Sequence, residues 1–407
     1  MARTKYGVAP WVEPAKQGKP TYPVLAGTLD VHAAIVGGGL TGAAIAYACA
    51  AAGVRVALLE AGRIGQGPSG RSAGLILQSP AQAFVDMERA HGRRAARAIW
   101  TAWRRAALEL AATIRRLNLR CGLTPADAVT WAPGGDRAAT LQRELAARRE
   151  GGLEGTWMTQ RALAALDVQG AGAIRTKGDA VVDPTRLCQG FARAAAVRGA
   201  AVFERTRATR IHTASGRLAV DTDRGVVSCE TLVVATGEPT ELFDPLARHF
   251  DMRESYIVQT PPLPPRVRSA SPEPNLILQD VEEPPHRLAW TASDRILWSG
   301  ADQPRIPARL REKTLVQRTG QLMYELSLMV PAISGIQPEH GWDAPYSVTR
   351  DGLPFIGPHR NYPRHLFALG LGANPAAAFL ASRVLLRHLT GASEKADDVF
   401  GFARLPR

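Results

Sequence analysis

The chain has 407 residues, of which 45% are hydrophobic, and a formal net charge of +13 from 50 Lys and Arg against 37 Asp and Glu. This length and composition predict a globular protein with about two to three domain-sized units. No stretch approaches the roughly 18 consecutive apolar residues of a membrane-spanning helix, and the charged N-terminus does not resemble a signal peptide, so we expect a cytoplasmic protein with no membrane span.

Neither the cysteines nor the basic residues indicate a special class. Cys49, Cys121, Cys188 and Cys229 form no CxxC pair, and the histidines have no metal-ligand spacing, so we predict no metal site and no disulfide framework. Arginine pairs recur about every 11 residues from Arg93 to Arg116, which is typical of a solvated helix face. No stacking platform of interleaved aromatic residues accompanies them, so we expect no nucleic-acid partner.

The first thirty residues are rich in proline and predict an irregular arm on the surface. The run VHAAIV at residues 31–36 predicts a strand, GGGLTG a turn and AAIAYACAAAG a helix, and RVALLE at residues 55–60 predicts the next strand. This order predicts a βαβ unit in a parallel sheet.

Residues 84–120 have helical periodicity with a break after His91, which predicts a helical excursion from the sheet. From Asp183 the sequence predicts a helix, a strand, a hairpin and a further strand that ends in VVATG. Proline-rich loops at 261–265 and 269–285 bound a region of strands that includes HRLAW and RILWSG. A final helix is expected over about residues 375–389.

The motif Gly37-x-Gly39-x-x-Gly42 lies between a predicted strand and a predicted helix. The three glycines permit a tight turn, close approach of a pyrophosphate and close helix packing. Glu60 ends the next strand, where a carboxylate accepts hydrogen bonds from both ribose hydroxyls and disfavours a 2′-phosphate. The pattern indicates an adenosine dinucleotide, with a purely structural glycine turn as the alternative.

Several further motifs follow in order: Arg63, SGRSAG at residues 69–74, VVATG, DGLPFIG and FALGLG. Together with the glycine fingerprint they resemble the FAD-dependent D-amino-acid oxidase superfamily over nearly the whole chain, and most of all its gamma-glutamylputrescine oxidase and glycine oxidase-like members. The resemblance implies dehydrogenation of a C–N bond by hydride transfer to flavin N5, followed by hydrolysis of the imine.

The resemblance also implies the fold, an α/β protein with a Rossmann-like FAD-binding domain and a discontinuous α+β substrate domain with a mixed or antiparallel sheet. We expect residues 1–80, 171–245 and 343–407 in the FAD-binding domain. Residues 81–170 and 246–342 are expected in the substrate domain.

The cofactor-binding residues implied by the resemblance hold the pyrophosphate, the ribose, the adenine or the flavin. They are Gly37, Gly39, Leu40, Thr41, Gly42, Glu60, Ala61, Arg63, Ser69, Gly70, Arg71, Ser72, Ala73, Gly74, Ala208, Ala235, Thr236, Gly237, Gly370, Leu371, Gly372, Ala373 and Asn374. The last five precede the final helix, whose positive end would stabilise reduced flavin. A glycine turn that only caps the preceding strand is the alternative for that loop.

The segment GWDAPYSVTRDGLPFIG departs from the family pattern at two positions. Counted from Thr349, the arginine that binds the substrate α-carboxylate in glycine and D-amino-acid oxidases falls at Tyr346, and the flavin-linked cysteine of sarcosine oxidases falls at Ala344. The histidine attachment of other relatives falls in the SGRSAG region, at Arg71 and Ser72. We therefore expect non-covalent FAD and an amine that is not held by that arginine.

Trp342 matches the gamma-glutamylputrescine oxidase group best, as does TYPVLAG at residues 21–27. The candidate catalytic residues are Tyr346, Trp342 and Tyr256, with core packing as the alternative for these aromatics. Gln259, His286, Arg287 and Trp290 are further candidates on the substrate side.

The lysine that assists O2 reduction in sarcosine oxidases falls near Trp298, where this chain has no lysine. The expected partners are a small amine substrate and either O2 or another electron acceptor. An FAD amine or amino-acid dehydrogenase that reduces a quinone or carrier is the first alternative, and a non-catalytic or RNA-acting flavoprotein is the second. The oligomeric state is left open.

Overall fold

A computed structural model describes residues 3–12 and 22–404. Residues 1–2 and 13–21 of the predicted proline-rich arm, which include Thr21 of the TYPVLAG segment, therefore lie outside the described residues. None of the described helices combines the length and the apolar character that a membrane crossing requires.

The strands and helices follow the chain in a mixed order. The strands of the described residues are β1 (Lys5–Tyr6), β2 (Gly27–Val36), β3 (Val56–Leu59), β4 (Leu75–Ile76), β5 (Thr124–Ala132), β6 (Thr156–Thr159), β7 (Gly172–Val181), β8 (Ala201–Phe203), β9 (Ala208–Ala214), β10 (Arg217–Thr222), β11 (Gly225–Gly237), β12 (Phe250–Gln259), β13 (Leu276–Gln279), β14 (Arg287–Trp290), β15 (Ile296–Pro304), β16 (His340–Thr349), β17 (Phe355–His359) and β18 (Tyr362–Leu369). The helices are α1 (Leu40–Ala51), α2 (Phe84–His91), α3 (Arg93–Arg116), α4 (Gly135–Glu150), α5 (Gln160–Ala164), α6 (Pro184–Ala196), α7 (Pro265–Arg268), α8 (Ala308–Met329) and α9 (Pro375–Leu389).

One sheet contains the predicted βαβ unit. Its order is β17-β18-β11-β2-β3-β8, with the β9–β10 hairpin attached to β11, and the five strands from β18 to β8 are parallel. Helices α1, α6 and α9 pack on one face, where Ala33 and Ile35 of β2 are fully buried. The alanine-rich α1 is buried along almost its whole length because small side chains let both neighbouring helices approach closely.

The second sheet is mostly antiparallel and has the order β1-β16-β12-β15-β14-β13-β5-β7-β4, with β6 attached to β7. Helix α8 covers one face through contacts with β12, β15 and β16. The opposite face meets the segment at residues 68–73, which leads out of the first sheet. The predicted α/β fold, with a parallel cofactor sheet and a mixed second sheet, is confirmed.

The two sheets divide the chain at positions other than the predicted boundaries. Strands β4 and β7, which were expected in the FAD-binding domain, pair in the second sheet. Strand β16 lies in the second sheet along its whole length, past the expected boundary at residue 343. The local pattern of a strand predicts its existence but not its partner, because pairing here joins residues far apart in sequence.

The register of the second sheet decides which side chains face the first sheet. Trp342, Ala344 and Tyr346 of β16 alternate onto that face, and Ile257 and Ser299 share the rung of Trp342. Tyr256 and Trp298 belong to the opposite face and pack in the cluster under α8.

A β-bulge changes the alternation within β15. Between the pairs Tyr256–Gly300 and Glu254–Gln303, one residue of β12 faces two of β15, Ala301 and Asp302. Ala301 has φ +53°, in the left-handed region that is uncommon for alanine. The extra residue turns Asp302 toward the face that carries Tyr346.

Candidate cofactor and substrate site

A cleft of about 760 Å³ lies at the carboxyl ends of the parallel strands. It is bounded by the residues that follow β2, β3, β8 and β11 and by the loop between β18 and α9. Its far end reaches β16 of the second sheet at Ala344 and Tyr346. Ligands of open α/β sheets bind at such a position, because the strand ends leave a crevice there.

The turn from β2 to α1 is closed around glycine. Gly37 has φ +109°, and a Cβ atom there would lie 2.5 Å from the Ala235 carbonyl oxygen. A Cβ atom at Gly42 would lie 1.9 Å from the Gly37 carbonyl oxygen. Helix α1 begins after Gly39, which has no side chain to cap it. Amides of its first turn can therefore donate hydrogen bonds to an anionic ligand in the cleft.

Glu60 follows β3 directly and lines the cleft. Its Oε2 accepts a hydrogen bond from the Gly38 amide at 2.7 Å, and its Oε1 accepts one from the Gly62 amide at 2.6 Å. These bonds fix the carboxylate while each oxygen keeps a further lone pair. The group can therefore accept the two hydroxyls of a ribose.

The segment after Glu60 contributes through Ser69 and Ser72, which both line the cleft. Ser69 Oγ accepts the Leu40 amide at 3.0 Å. Arg71 was expected beside the diphosphate and the flavin, but its guanidinium reaches over the edge of the second sheet and binds the Asp343 carboxylate and carbonyl. Burial lowers the pKa of Arg71, and the nearby Asp343 carboxylate partly offsets that effect.

Helix α9 also points its N-terminus at the cleft, through the lining residues Leu371, Gly372, Ala373 and Asn374. Asn374 caps the helix, because its Oδ1 accepts the Ala376 amide at 3.0 Å. Its Nδ2 donates to the Leu77 carbonyl at 2.8 Å. The positive ends of α1 and α9 therefore face one cleft, which favours negative charge there.

Most of the predicted cofactor residues are brought together in this cleft. Those that line it are Gly37, Gly39, Leu40, Thr41, Glu60, Ala61, Ser69, Ser72, Ala208, Ala235, Thr236, Gly237, Leu371, Gly372, Ala373 and Asn374. Those outside the lining are Gly42, Arg63, Gly70, Arg71, Ala73, Gly74 and Gly370. Gly42, Gly70, Gly74 and Gly370 shape the backbone around the cleft, since a Cβ at any of them would lie within 3.0 Å of another atom.

Several lining residues were not predicted. They include Thr206, Arg207 and Thr209, from the end of β8 into β9, and residues 238–242 after β11. The first group was accessible to sequence reasoning, because residues after a parallel strand next to β3 must lie at the same edge of the sheet. The second group carries no such signal beyond its position after VVATG.

Tyr346 is the only predicted catalytic residue that lines the cleft. Its hydroxyl donates to Asp302 Oδ2 at 2.5 Å. Burial raises the pKa of Tyr346 well above its usual value, and the Asp302 carboxylate raises it further. Tyr346 therefore stays protonated at all physiological pH values.

Trp342 and Tyr256 occupy different environments from Tyr346. Trp342 is fully buried, donates through Nε1 to the Arg71 carbonyl at 2.8 Å and packs edge-on against Trp11. Tyr256 lies under α8, where it accepts a hydrogen bond from Gln303 at 2.9 Å; burial raises its pKa to about 12. These placements favour the packing alternative for both residues.

The other substrate-side candidates are divided between the two faces of the second sheet. Trp290 packs under α8, and His286 stacks on Trp298 with ring centroids 5.5 Å apart. Gln259 is buried at the end of β12. Arg287 shares its rung with Ser299 and so belongs to the face toward the cleft.

Among the described residues, the cleft lining contains no lysine, cysteine or histidine. The four cysteines lie elsewhere and are buried. No cluster in the described part of the chain has the ligands for a metal ion.

The cleft fits FAD by the chemistry of its donors. Two helix N-termini and a glycine turn can hold the diphosphate, and Glu60 can hold the ribose. The end beside Ala344 and Tyr346, in contact with the second sheet, is left for the flavin ring.

Comparison with known proteins agrees with this geometry. A model of the DAO family, described as FAD-dependent oxidoreductases, matches residues 32–385. Gamma-glutamylputrescine oxidoreductase of Escherichia coli (strain K12) is 25% identical over 395 residues, which cover 93% of this chain and 87% of that protein. Glycine oxidase of Geobacillus kaustophilus (strain HTA426) is 26% identical over 367 residues, or 88% of this chain and 90% of that protein.

Solved structures show the same fold. The crystal structure of glycine oxidase from Geobacillus kaustophilus has a TM-score of 0.73 at 22% identity and covers 93% of this chain and 100% of that one. L-amino acid deaminase from Proteus myxofaciens has a TM-score of 0.77 at 15% identity, with 97% of each chain covered. With a family model that spans most of its length and a cleft built for the cofactor, the chain belongs to the DAO family of FAD-dependent oxidoreductases.

Proposed function

We propose that the enzyme oxidises the C–N bond of a primary or secondary amine or amino acid derivative, and that water then hydrolyses the imine. The observation that carries this proposal is the Tyr346–Asp302 pair, which places a hydroxyl and a carboxylate beside the flavin end of the cleft. An amine needs such partners, because it must be oriented and must lose its proton before oxidation. The names of the relatives above, an oxidoreductase of gamma-glutamylputrescine and a glycine oxidase, support the same substrate class.

FAD, when bound, supplies the hydride acceptor. The protein contributes orientation and charge. The N-terminus of α9 favours negative charge at the flavin end of the cleft, and Tyr346 stays protonated and can donate a hydrogen bond. Trp342 and Tyr256 support this surface from within the sheet rather than from the cleft.

A dehydrogenase that transfers electrons to a quinone or carrier is the second candidate. The described lining of the cleft has no lysine, and Trp298, near which the counterpart of the sarcosine oxidase lysine falls, faces away from the cleft under α8. Without a lysine ammonium in that position, the formation of superoxide from O2 is less favoured. This observation favours slow reaction with O2.

Anaerobic mixing of the yellow holoenzyme with polyamines, N-methyl amino acids, D- and L-amino acids and glycine tests the proposal. We expect at least one compound to bleach the flavin. Admission of air and a peroxide assay then separate the oxidase from the dehydrogenase, which would reoxidise slowly in air and rapidly with a quinone. If no amine bleaches the flavin, the proposed function is wrong.

A further inference from the structure

Arg287, one of the predicted substrate-side candidates, lies on the sheet face toward the cleft. It opens β14, directly opposite Ser299 of β15, and Ser299 is opposite Ile257 of β12. Ile257 is in turn opposite Trp342 of β16. Arg287 therefore stands across the sheet from β16, with the small side chain of Ser299 on the floor between them.

The guanidinium of Arg287 is held in place by a hydrogen bond from its Nε atom. Nε donates to Gln279 Oε1 at 2.8 Å, from the neighbouring strand β13. Within the described residues, no carboxylate lies within 4.0 Å of its nitrogens, whereas most partly buried arginines of this chain have such a partner. Its terminal nitrogens thus remain able to bind another anion.

Arg287 is largely removed from water, so a guanidinium charge without an anionic partner is energetically unfavourable there. Burial lowers the pKa of Arg287, and the nearby Asp302, Tyr346 and Asp280 oppose that effect without forming an ion pair with it. Charged groups removed from water are usually paired, and a guanidinium fork matches a carboxylate in geometry. The missing partner is best explained by a bound carboxylate.

The Tyr346–Asp302 pair lies near Arg287 on the same sheet face. The bulge at Ala301 and Asp302 is what brings this carboxylate onto that face. This sheet face thus carries a cation, Arg287, on one side and the Asp302 carboxylate with the Tyr346 hydroxyl on the other. This arrangement complements a molecule that has a carboxylate at one end and an amino group at the other.

We propose that Arg287, supported by Gln279, binds the carboxylate of an amino acid substrate, while Tyr346 and Asp302 face its amino group. The substrate class is then an amino acid or N-substituted amino acid rather than a simple amine. Arg287 on β14 takes over the task that the family's arginine performs from the position of Tyr346 on β16. This inference rests on the proposed function, since it names the substrate class of the same cleft.

The test uses the FAD-loaded enzyme with Arg287→Met and Arg287→Lys. Arg253→Met tests the rival arginine, because Arg253 is on the same face and lies directly opposite Tyr346. Acetate and benzoate are titrated first, and the perturbation of the flavin spectrum gives a dissociation constant without turnover. Amino acids are then compared with the matching amines that lack the carboxylate, by anaerobic flavin reduction.

We expect benzoate or acetate to perturb the wild-type spectrum, and Arg287→Met to weaken that binding about 10- to 100-fold, in line with the loss of charged hydrogen bonds. Arg287→Lys should recover part of the affinity, and Arg253→Met should change it less than threefold. Reduction by amino acids should require higher concentrations in Arg287→Met, with little change for the matching amines. FAD content and thermal unfolding should match the wild type, which separates lost binding from misfolding.

Three results would overturn the inference: no carboxylate binding in the wild type, equal binding in Arg287→Met, or a larger loss in Arg253→Met. Each leaves the proposed function intact if amines without a carboxylate still bleach the flavin. Conversely, if carboxylates bind through Arg287 but no amine or amino acid bleaches the flavin, the proposed function fails and the anion site stands.

Discussion

The two sheets build their halves of the site in different ways. The parallel sheet makes its half from backbone: glycines that allow close approach, and the N-termini of α1 and α9. The antiparallel sheet makes its half from side chains such as Tyr346, Asp302 and Arg287, which come from three strands. The first half can bind the same cofactor in many relatives, whereas the second can change its ligand through a few substitutions.

The largest expected effect concerns the backbone half. Gly42→Val puts side-chain atoms where a Cβ would already lie 1.9 Å from the Gly37 carbonyl oxygen, so the turn and α1 cannot keep their contact. We expect protein without bound FAD, measured by the flavin absorbance after purification. Gly320→Ala is the control, since no atom lies within 4 Å of that Cβ; it should retain full FAD. A yellow Gly42→Val protein would contradict the backbone origin of this half.

A second prediction concerns the junction between the halves. Asp343, with a side chain only 2% exposed, binds Arg71 from the cofactor side and Arg311 from α8. Asp343→Asn leaves two guanidinium groups without their carboxylate and should lower the free energy of unfolding by about 3 kcal/mol. Chemical denaturation measures this. Glu150→Gln, at the exposed ion pair with Arg93, is the control and should change the free energy of unfolding by less than about 0.5 kcal/mol. Equal effects of the two substitutions would contradict the prediction that Asp343 stabilises this junction.

The third prediction returns to the cofactor, at an acidic side chain that lines its half of the cleft. Glu60→Gln keeps the shape of the side chain but removes the negative charge of the carboxylate. That carboxylate accepts hydrogen bonds from the Gly38 and Gly62 amides and, in our proposal, from the ribose hydroxyls. We expect FAD to bind about tenfold more weakly or worse, measured by reconstitution of apoprotein. The exposed Glu230, paired with Arg217, provides the control Glu230→Gln, which should leave FAD affinity unchanged. Unchanged affinity in Glu60→Gln would show that backbone groups alone suffice.

The smallest effect is a pH dependence in the side-chain half. The hydrogen bond that His286 Nδ1 donates to the Asp280 carboxylate, 2.8 Å long, raises the pKa of His286 above its ordinary value, against the effect of burial. Since the folded pKa is higher than the unfolded one, this stabilisation is fully present below about pH 6.5 and is lost as the pH rises through the folded pKa. His286→Gln should therefore destabilise the protein more at pH 5.5 than at pH 9, by about 1 kcal/mol. If the loss of stability in His286→Gln does not vary with pH, the Asp280–His286 hydrogen bond is not the source of a pH-dependent stabilisation.

The sequence predicted the backbone half well because its signals are local. The glycine turn, Glu60 and the loop before α9 each lie within a few residues of a strand end, and the structure collects them in one cleft. The side-chain half depended on register. Trp342 and Tyr346 are four residues apart on the same sheet face, yet one is covered by Arg71 and Trp11 and the other lines the cleft.

Two other differences have the same origin. Arg71 was expected at the flavin, but Asp343 draws its guanidinium over the sheet edge, a contact between residues 272 positions apart in sequence. Strands β4 and β7 pair in the second sheet, although their residues were expected in the FAD-binding domain, because the pairing and not the strand pattern decides their sheet. Long-range pairing of this kind has no local signal to read.

The bulge in β15 decides which residues of that strand face the cleft. A strand with one extra residue presents side chains of opposite parity to one face before and after that point. Regular alternation from Ser299 would bring Ala301 and then Gln303 to the cleft face, whereas the bulge brings Asp302 there. The acidic partner of Tyr346 therefore depends on the length of the strand between Gly300 and Gln303 as much as on the identity of residue 302.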